Sequence, residues 1–183
     1  GTNNTLRNVT LDSNQDTYWT NGGKDSKYYL ENCTIKGTVD YICGTGNVWF
    51  EGCTLYMNQR SSGDVIVAPQ TDADSGYGYV FNNCTVDGDA GQDKQYRIGR
   101  PWGGSPAATW INTTFKILPN SAGYGNMTDG LVLRFHEYGS KDANGNEKTC
   151  DLTVTPAQDK VSGAYYILCI RNLCLYLLYN CFL

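Results

Sequence analysis

The stretch Tyr29-Leu30-Glu31-Asn32-Cys33-Thr34-Ile35 decides the fold, because it recurs. It returns as Trp49-Phe50-Glu51-Gly52-Cys53-Thr54-Leu55 and again as Val80-Phe81-Asn82-Asn83-Cys84-Thr85-Val86. Weaker copies stand at Leu6-Arg7-Asn8-Val9-Thr10-Leu11 and Thr109-Trp110-Ile111-Asn112-Thr113-Thr114-Phe115. Each copy is a short apolar strand, an Asn or Gly, then Cys, Thr or Val, a Thr, and an apolar residue. Anchored on the Asn or Gly, the copies sit at 8, 32, 52, 83 and 112, in steps of 24, 20, 31 and 29. A repeat of this length, holding a pair of short strands, marks a solenoid in which each unit buries its apolar face only against its neighbours. The leucine ladder of leucine-rich repeats is absent, and no stretch before residue 160 carries a 3.6-residue apolar period. The fold class expected is therefore all-β, a right-handed single-stranded parallel β-helix, with loops inserted in the longer steps.

Composition agrees with that reading. Of the 183 residues only 17% are charged, while Gly numbers 21 and Tyr 14. This suits strands and turns and does not suit a helical bundle or a disordered tail. The net charge of -4 comes without a cluster of Lys and Arg, which excludes nucleic acid as an expected partner. His136 is the sole histidine, so most zinc sites and the Ser-His and Cys-His catalytic sets are excluded as first readings. The 8 cysteines suggest a disulfide framework until their spacing is considered. Cys33, Cys53 and Cys84 hold one repeat position, with Val9 and Thr113 in the same slot, so they are expected to point inward on successive coils about 4.8 Å apart. Cys43 falls in another apolar strand. The Asn-x-Thr triplets at Asn8, Asn32, Asn83 and Asn112 read as products of the same strand-turn pattern rather than as glycosylation acceptors.

The register makes a sharper statement about two acids. Asp16 lies eight residues after Asn8 and Asp40 eight after Asn32, so the two should stand one above the other on neighbouring coils. Like charges that close separate their titrations, which prepares one carboxyl as an acid and the other as a base or nucleophile. The alternative is that both are turn residues at coil corners. Farther on, Tyr96-Arg97-Ile98-Gly99-Arg100-Pro101-Trp102 provides a guanidinium able to hold a carboxylate and a flat ring able to receive a sugar. By itself that motif also fits a surface turn with a packed Trp.

In order and spacing, Gln15-Asp16-Thr17, Gly37-Thr38-Val39-Asp40-Tyr41-Ile42-Cys43-Gly44 and Gly99-Arg100-Pro101-Trp102 resemble the signature motifs of the pectin methylesterases. Val67-Ala68-Pro69-Gln70-Thr71 and Phe135-His136-Glu137-Tyr138 resemble its minor motifs, and the likeness runs from about Asn4 to Ser140. That resemblance implies an aspartyl esterase without cofactor or metal, hydrolysing the C6 methyl esters of homogalacturonan. Asp40 would be the nucleophile, Asp16 the general acid and then base, and Gln15 an oxyanion donor. Arg100 would hold Asp40 ionised and oriented, and Trp102 would line the sugar cleft. Tyr18, Trp19 and Tyr41 are further cleft candidates, with packing as the equal alternative. Tyr41 and Cys43 depart from the Phe common in that strand, and the family's upstream oxyanion Gln would precede Gly1.

The implied partner is methyl-esterified pectin, met by a monomer secreted to the extracellular space or periplasm, with neither nucleic acid nor membrane expected. The rival readings are a non-catalytic or truncated β-helix that binds polysaccharide and another β-helix pectin enzyme, a lyase or polygalacturonase. The polar start, Gly1-Thr2-Asn3-Asn4-Thr5, reads as the interior of a longer protein lacking its N-terminal coils. Residues 1–146 are expected to form the β-helix domain, and residues 147–183 a C-terminal segment of another character. Within that segment Tyr165-Tyr166-Ile167-Leu168-Cys169-Ile170 opens a run of Tyr, Leu, Ile and Cys. The run reads as a buried or partner-facing strand, a membrane span interrupted by Arg171, Asn172 and Asn180, or a reading-frame change near Val161.

Overall fold

A computed structural model describes residues 3–61, 63–131 and 133–147. The repeat becomes three parallel sheets, one on each side of a coil that rises through the chain. The first sheet stacks β1 (Asn3–Arg7), β4 (Lys27–Glu31), β7 (Asn47–Glu51), β10 (Tyr79–Asn82), β13 (Ala107–Ile111) and β15 (Arg134–Tyr138). The second stacks β2 (Thr10–Asp12), β5 (Thr34–Gly37), β8 (Thr54–Met57), β11 (Thr85–Gly88), β14 (Thr114–Phe115) and β16 (Lys141–Asp142). The third holds β3 (Tyr18–Thr20), β6 (Val39–Gly44), β9 (Val65–Pro69) and β12 (Arg97–Gly99). This is a parallel β-helix, and among the described residues its only helical element is the 3₁₀ turn Ala90–Gln92.

The anchor of each copy is a corner. Asn8, Asn32, Gly52, Asn83 and Asn112 all have positive φ, between 51° and 59°, and turn the chain from the first sheet into the second. Asn and Gly tolerate that left-handed conformation, which most other residues resist. A sixth corner, Gly139 at φ 66°, follows β15 and was not recognised as a copy in the sequence. Its coil lacks both Asn and Cys at the diagnostic positions, with Ser140 occupying the cysteine slot. Glycine takes this left-handed turn without strain, and it spares the 2.5 Å contact that a Cβ would make with Asn112 Oδ1.

The interior is built of ladders. Thr34, Thr54 and Thr85 are in register, which stacks the preceding Cys33, Cys53 and Cys84 inside, buried and as free thiols. Leu30, Phe50, Phe81 and Trp110 form a second ladder. Its rings are nearly parallel, with centroids 4.6 Å apart for Phe50 and Phe81 and 4.0 Å apart for Phe81 and Trp110. Each such aromatic pair contributes about 1 kcal/mol beyond burial of its area.

The inserted loops are fastened by the buried Asn47 and the half-buried Arg134. Asn47 Oδ1 accepts from the amides of Tyr77 and Gly78 at 2.9 and 3.2 Å, closing the loop that leads into β10. Arg134, the first residue of β15, donates to the carbonyls of Ser75, Asp72 and Ser105 at 3.1, 2.9 and 2.8 Å, joining the loop before β10 to the loop before β13.

Of the expected C-terminal segment only its first residue, Glu147, lies within the described residues, where it bridges antiparallel to Lys141. The readings of the remainder, the apolar run after Tyr165 included, lie outside the described residues. Among the described residues no helix is long and apolar enough to cross a membrane.

Candidate active site

The third sheet carries the acids. Tyr18 pairs with Ile42 and Trp19 with Cys43, a register that sets the turn residue Asp16 over Asp40 on the next coil. Both aspartates have positive φ, 52° and 49°. At Asp40 the pairing slips: Val39 faces Val65 and Ile42 faces Val67, so β6 carries one residue more than β9 between these points. Such a bulge redirects a side chain. Here Tyr41 enters the core, and Asp40 goes to the outer side with 5% exposure. Asp16 is exposed.

Arg100, just after β12, reaches back across the β9 coil to Asp40. Its Nε donates to Asp40 Oδ1 at 2.8 Å and its Nη2 to Oδ2 at 2.5 Å. The side chains retain 28% and 7% exposure, so the carboxylate is nearly dry while one side of the guanidinium meets solvent. Two parallel charge-assisted bonds fix the carboxylate plane, and lone pairs on both oxygens remain uncommitted. Two backbone bonds seat this segment against β9: Arg100 N donates to Val67 O at 2.9 Å, and Trp102 N to Pro69 O at 3.1 Å.

The cleft beside Arg100 is polar, about 360 Å³, and lined by Asp64, Gln95, Arg97, Asn120 and Asn126 among others. Arg97 also donates through Nη1 to Tyr124 O at 2.5 Å. Asp64 has 2% exposure, and its Oδ1 has no hydrogen-bond partner. Burial raises its carboxyl above the usual range, against the opposing effects of Gln92 and Arg60.

The rim is apolar. Trp102 is half-buried, and its carbonyl accepts from Thr128 Oγ1 at 2.8 Å, which ties it to the loop bearing Met127. Met127 at 45% and Trp19 at 59% are the large apolar side chains left exposed among the described residues.

The residues singled out in the sequence divide accordingly. Asp16, Asp40 and Arg100 lie together, with Trp19 beside them. Gln15 is exposed in the turn before Asp16. Tyr41 has no exposure and belongs to the core, which is the packing alternative. Tyr18 is half-buried with its ring edge-on to Phe50 at 6.0 Å, and burial raises its hydroxyl far above the ordinary range. Sequence reasoning missed Met127, Asp64 and Arg97 as neighbours of the site. Arg97 was within reach, three residues before Arg100 in the quoted motif; the other two are joined to the site only by stacking of coils.

A family model described as Pectinesterase matches residues 2–162. A probable pectinesterase A of Aspergillus niger is 29% identical over 153 residues, covering 81% of this chain and 45% of that protein. The structure of rice weevil pectin methyl esterase superposes with a TM-score of 0.71 at 26% identity, covering 77% of this chain and 48% of that one. A pectin methylesterase solved in complex with a hexasaccharide shares the fold, with a TM-score of 0.66 at 24% identity over 80% of this chain and 51% of that one. The chain thus spans about half the length of the relatives it matches.

Proposed function

Because this chain belongs to the pectinesterase family, we propose that it hydrolyses the methyl esters of pectin, releasing methanol and leaving free uronate carboxylates. The observation that carries this reading is the paired hold of Arg100 on Asp40, with Asp16 in register one coil away. A structural corner aspartate has no need of a guanidinium drawn from two coils farther on.

In this mechanism Asp40 attacks the ester carbonyl carbon through an oxygen lone pair not used by Arg100. The carbonyl π pair moves onto oxygen, and Gln15 donates to that oxyanion. Collapse expels methoxide, which takes a proton from Asp16 and leaves as methanol. Asp16, now ionised, removes a proton from water as the water attacks the acyl-enzyme. Asp40 then departs as carboxylate, and Asp16 is again protonated. Arg100 keeps one carboxylate orientation throughout, so less order must be created at the moment of attack. Trp19, Trp102 and Met127 offer apolar faces to sugar rings on either side of the acids. The rice weevil and Aspergillus niger relatives carry pectinesterase names, which supports pectin as the polymer. Pectin lies outside the cell, which supports a secreted protein, extracellular or periplasmic.

The test is methanol release from highly methylated pectin by the chain and by its Asp40→Ala variant. Release by the former and none by the latter is expected. A folded wild-type chain that binds demethylated pectin and releases no methanol would overturn the esterase reading in favour of a binding protein.

A further inference from the structure

The four described cysteines do not share one role. Cys33, Cys53 and Cys84 belong to the central core cluster, whereas Cys43 stands outside it although only 2% exposed. The alternation of β6 explains this. Ile42 points into the core, and Cys43 takes the opposite, outer face, in register with the exposed Trp19 on one side and Ala68 on the other. That is the face on which Asp40 and Asp16 lie. The Cys43 thiol donates to Asp16 Oδ1 at 3.5 Å, a normal separation for sulfur. Burial, and then the Asp16 carboxylate, raise the thiol far above its ordinary range, with a smaller contribution from Asp40. The group therefore stays a neutral S–H donor at neutral pH.

Asp16 otherwise stands exposed in a left-handed turn, where a carboxylate has many rotamers open to it. Arg100 orients Asp40; Asp16 has no such fork. We infer that Cys43 is the positioning residue for Asp16, its thiol holding one carboxylate oxygen so that the other faces the ester bonded above Asp40. The inference rests on the esterase reading. It predicts that what the position needs is a hydrogen-bond donor, not the bulk of sulfur.

Two substitutions of similar size separate these needs. Cys43→Ser keeps a donor on a slightly shorter arm, and Cys43→Val fills the space with none. With methylated pectin, Cys43→Val is expected to lose about tenfold in kcat, the order of one hydrogen bond to a charged group, with KM changed less than twofold. Cys43→Ser is expected to recover most of kcat even where its melting temperature is the lower of the two. If Val keeps wild-type kcat and Ser does not, sulfur serves packing alone and the inference is overturned while the esterase reading stands. The infrared S–H stretch supplies a readout free of turnover, assigned by difference against Cys43→Val. Asp16→Ala should move that band to the position of a thiol without an acceptor. A band that does not move overturns the inference whatever the kinetics. A wild-type chain that releases no methanol overturns the esterase reading, and the positioning role with it.

Discussion

Replacing Arg100 with Leu should damage stability and chemistry together, and the size of each follows from the ion pair. The guanidinium and carboxylate charges, about 4 Å apart between centres, attract by about 4 kcal/mol at an effective dielectric constant near 20. Part of that offsets the cost of holding Asp40 away from water, its side chain being only 7% exposed. When Arg100 is removed the attraction is lost and the desolvation cost remains, which in buried pairs destabilises by about 3–5 kcal/mol. The 28% exposure of the Arg100 side chain lets water reach the vacated side, so we expect the lower end, about 3 kcal/mol. Urea denaturation of wild type, Arg100→Leu, Asp40→Asn and the double variant measures it. The double variant should be little worse than Asp40→Asn alone, giving a coupling of about 1.5 kcal/mol or more. Methanol release by Arg100→Leu should fall by about a hundredfold or more at a temperature where the variant is still folded, because the nucleophile is no longer held in one plane. Losses that add to within about 0.5 kcal/mol would refute the reasoning, for they would mean that Arg100 and Asp40 do not sense each other.

Other outcomes can be checked in the same preparations. Asp64→Asn should stabilise the protein at neutral pH: burial raises the folded carboxyl above its unfolded value, so stability falls as pH rises from the unfolded into the folded pKa. The advantage of Asp64→Asn should vanish below the usual carboxylate range, and a pH-independent difference between the two proteins would refute this. Arg134→Met, which frees the carbonyls of Ser75, Asp72 and Ser105, should cost about 2–3 kcal/mol in urea denaturation and open the loop before β10 to proteolysis. Gly44→Ala should fail to fold or unfold at much lower temperature, since its φ is 115° and a Cβ would lie 1.9 Å from Thr20 O. Arg97→Ala should weaken binding of demethylated oligogalacturonide, and the remaining affinity should be less sensitive to salt than that of wild type, as measured by titration calorimetry.

Much of this molecule is legible in its sequence because a solenoid is nearly one-dimensional. Each strand pairs only with the strands of the neighbouring coils, so the repeat gives the ladder partners directly. Asn8, Asn32, Gly52, Asn83 and Asn112 could be aligned because a left-handed corner admits few residue types, and the cysteine slot followed from the same alignment. The sixth coil escaped because Gly139 and Ser140 meet the same steric demands with different residues. Asp16 and Asp40 were placed together by counting alone, without any distance.

What counting could not supply was direction. The bulge at Asp40 sends that carboxylate outward and Tyr41 inward, and no periodicity in Val39-Asp40-Tyr41-Ile42 announces it. The same alternation puts the Cys43 thiol on Asp16 while Cys33, Cys53 and Cys84 fill the core, although one residue type serves both places. The reach of Arg100 across an intervening coil likewise depends on how the third sheet stacks. Sequence alone therefore determined the coil, its corners and the register of Asp16 with Asp40, because these are local steric and spacing constraints repeated along the chain. Tertiary structure alone decided which way the side chains around Asp40 point and that Arg100 reaches them, because side-chain direction in a sheet reverses with every residue and a single bulge reverses it again.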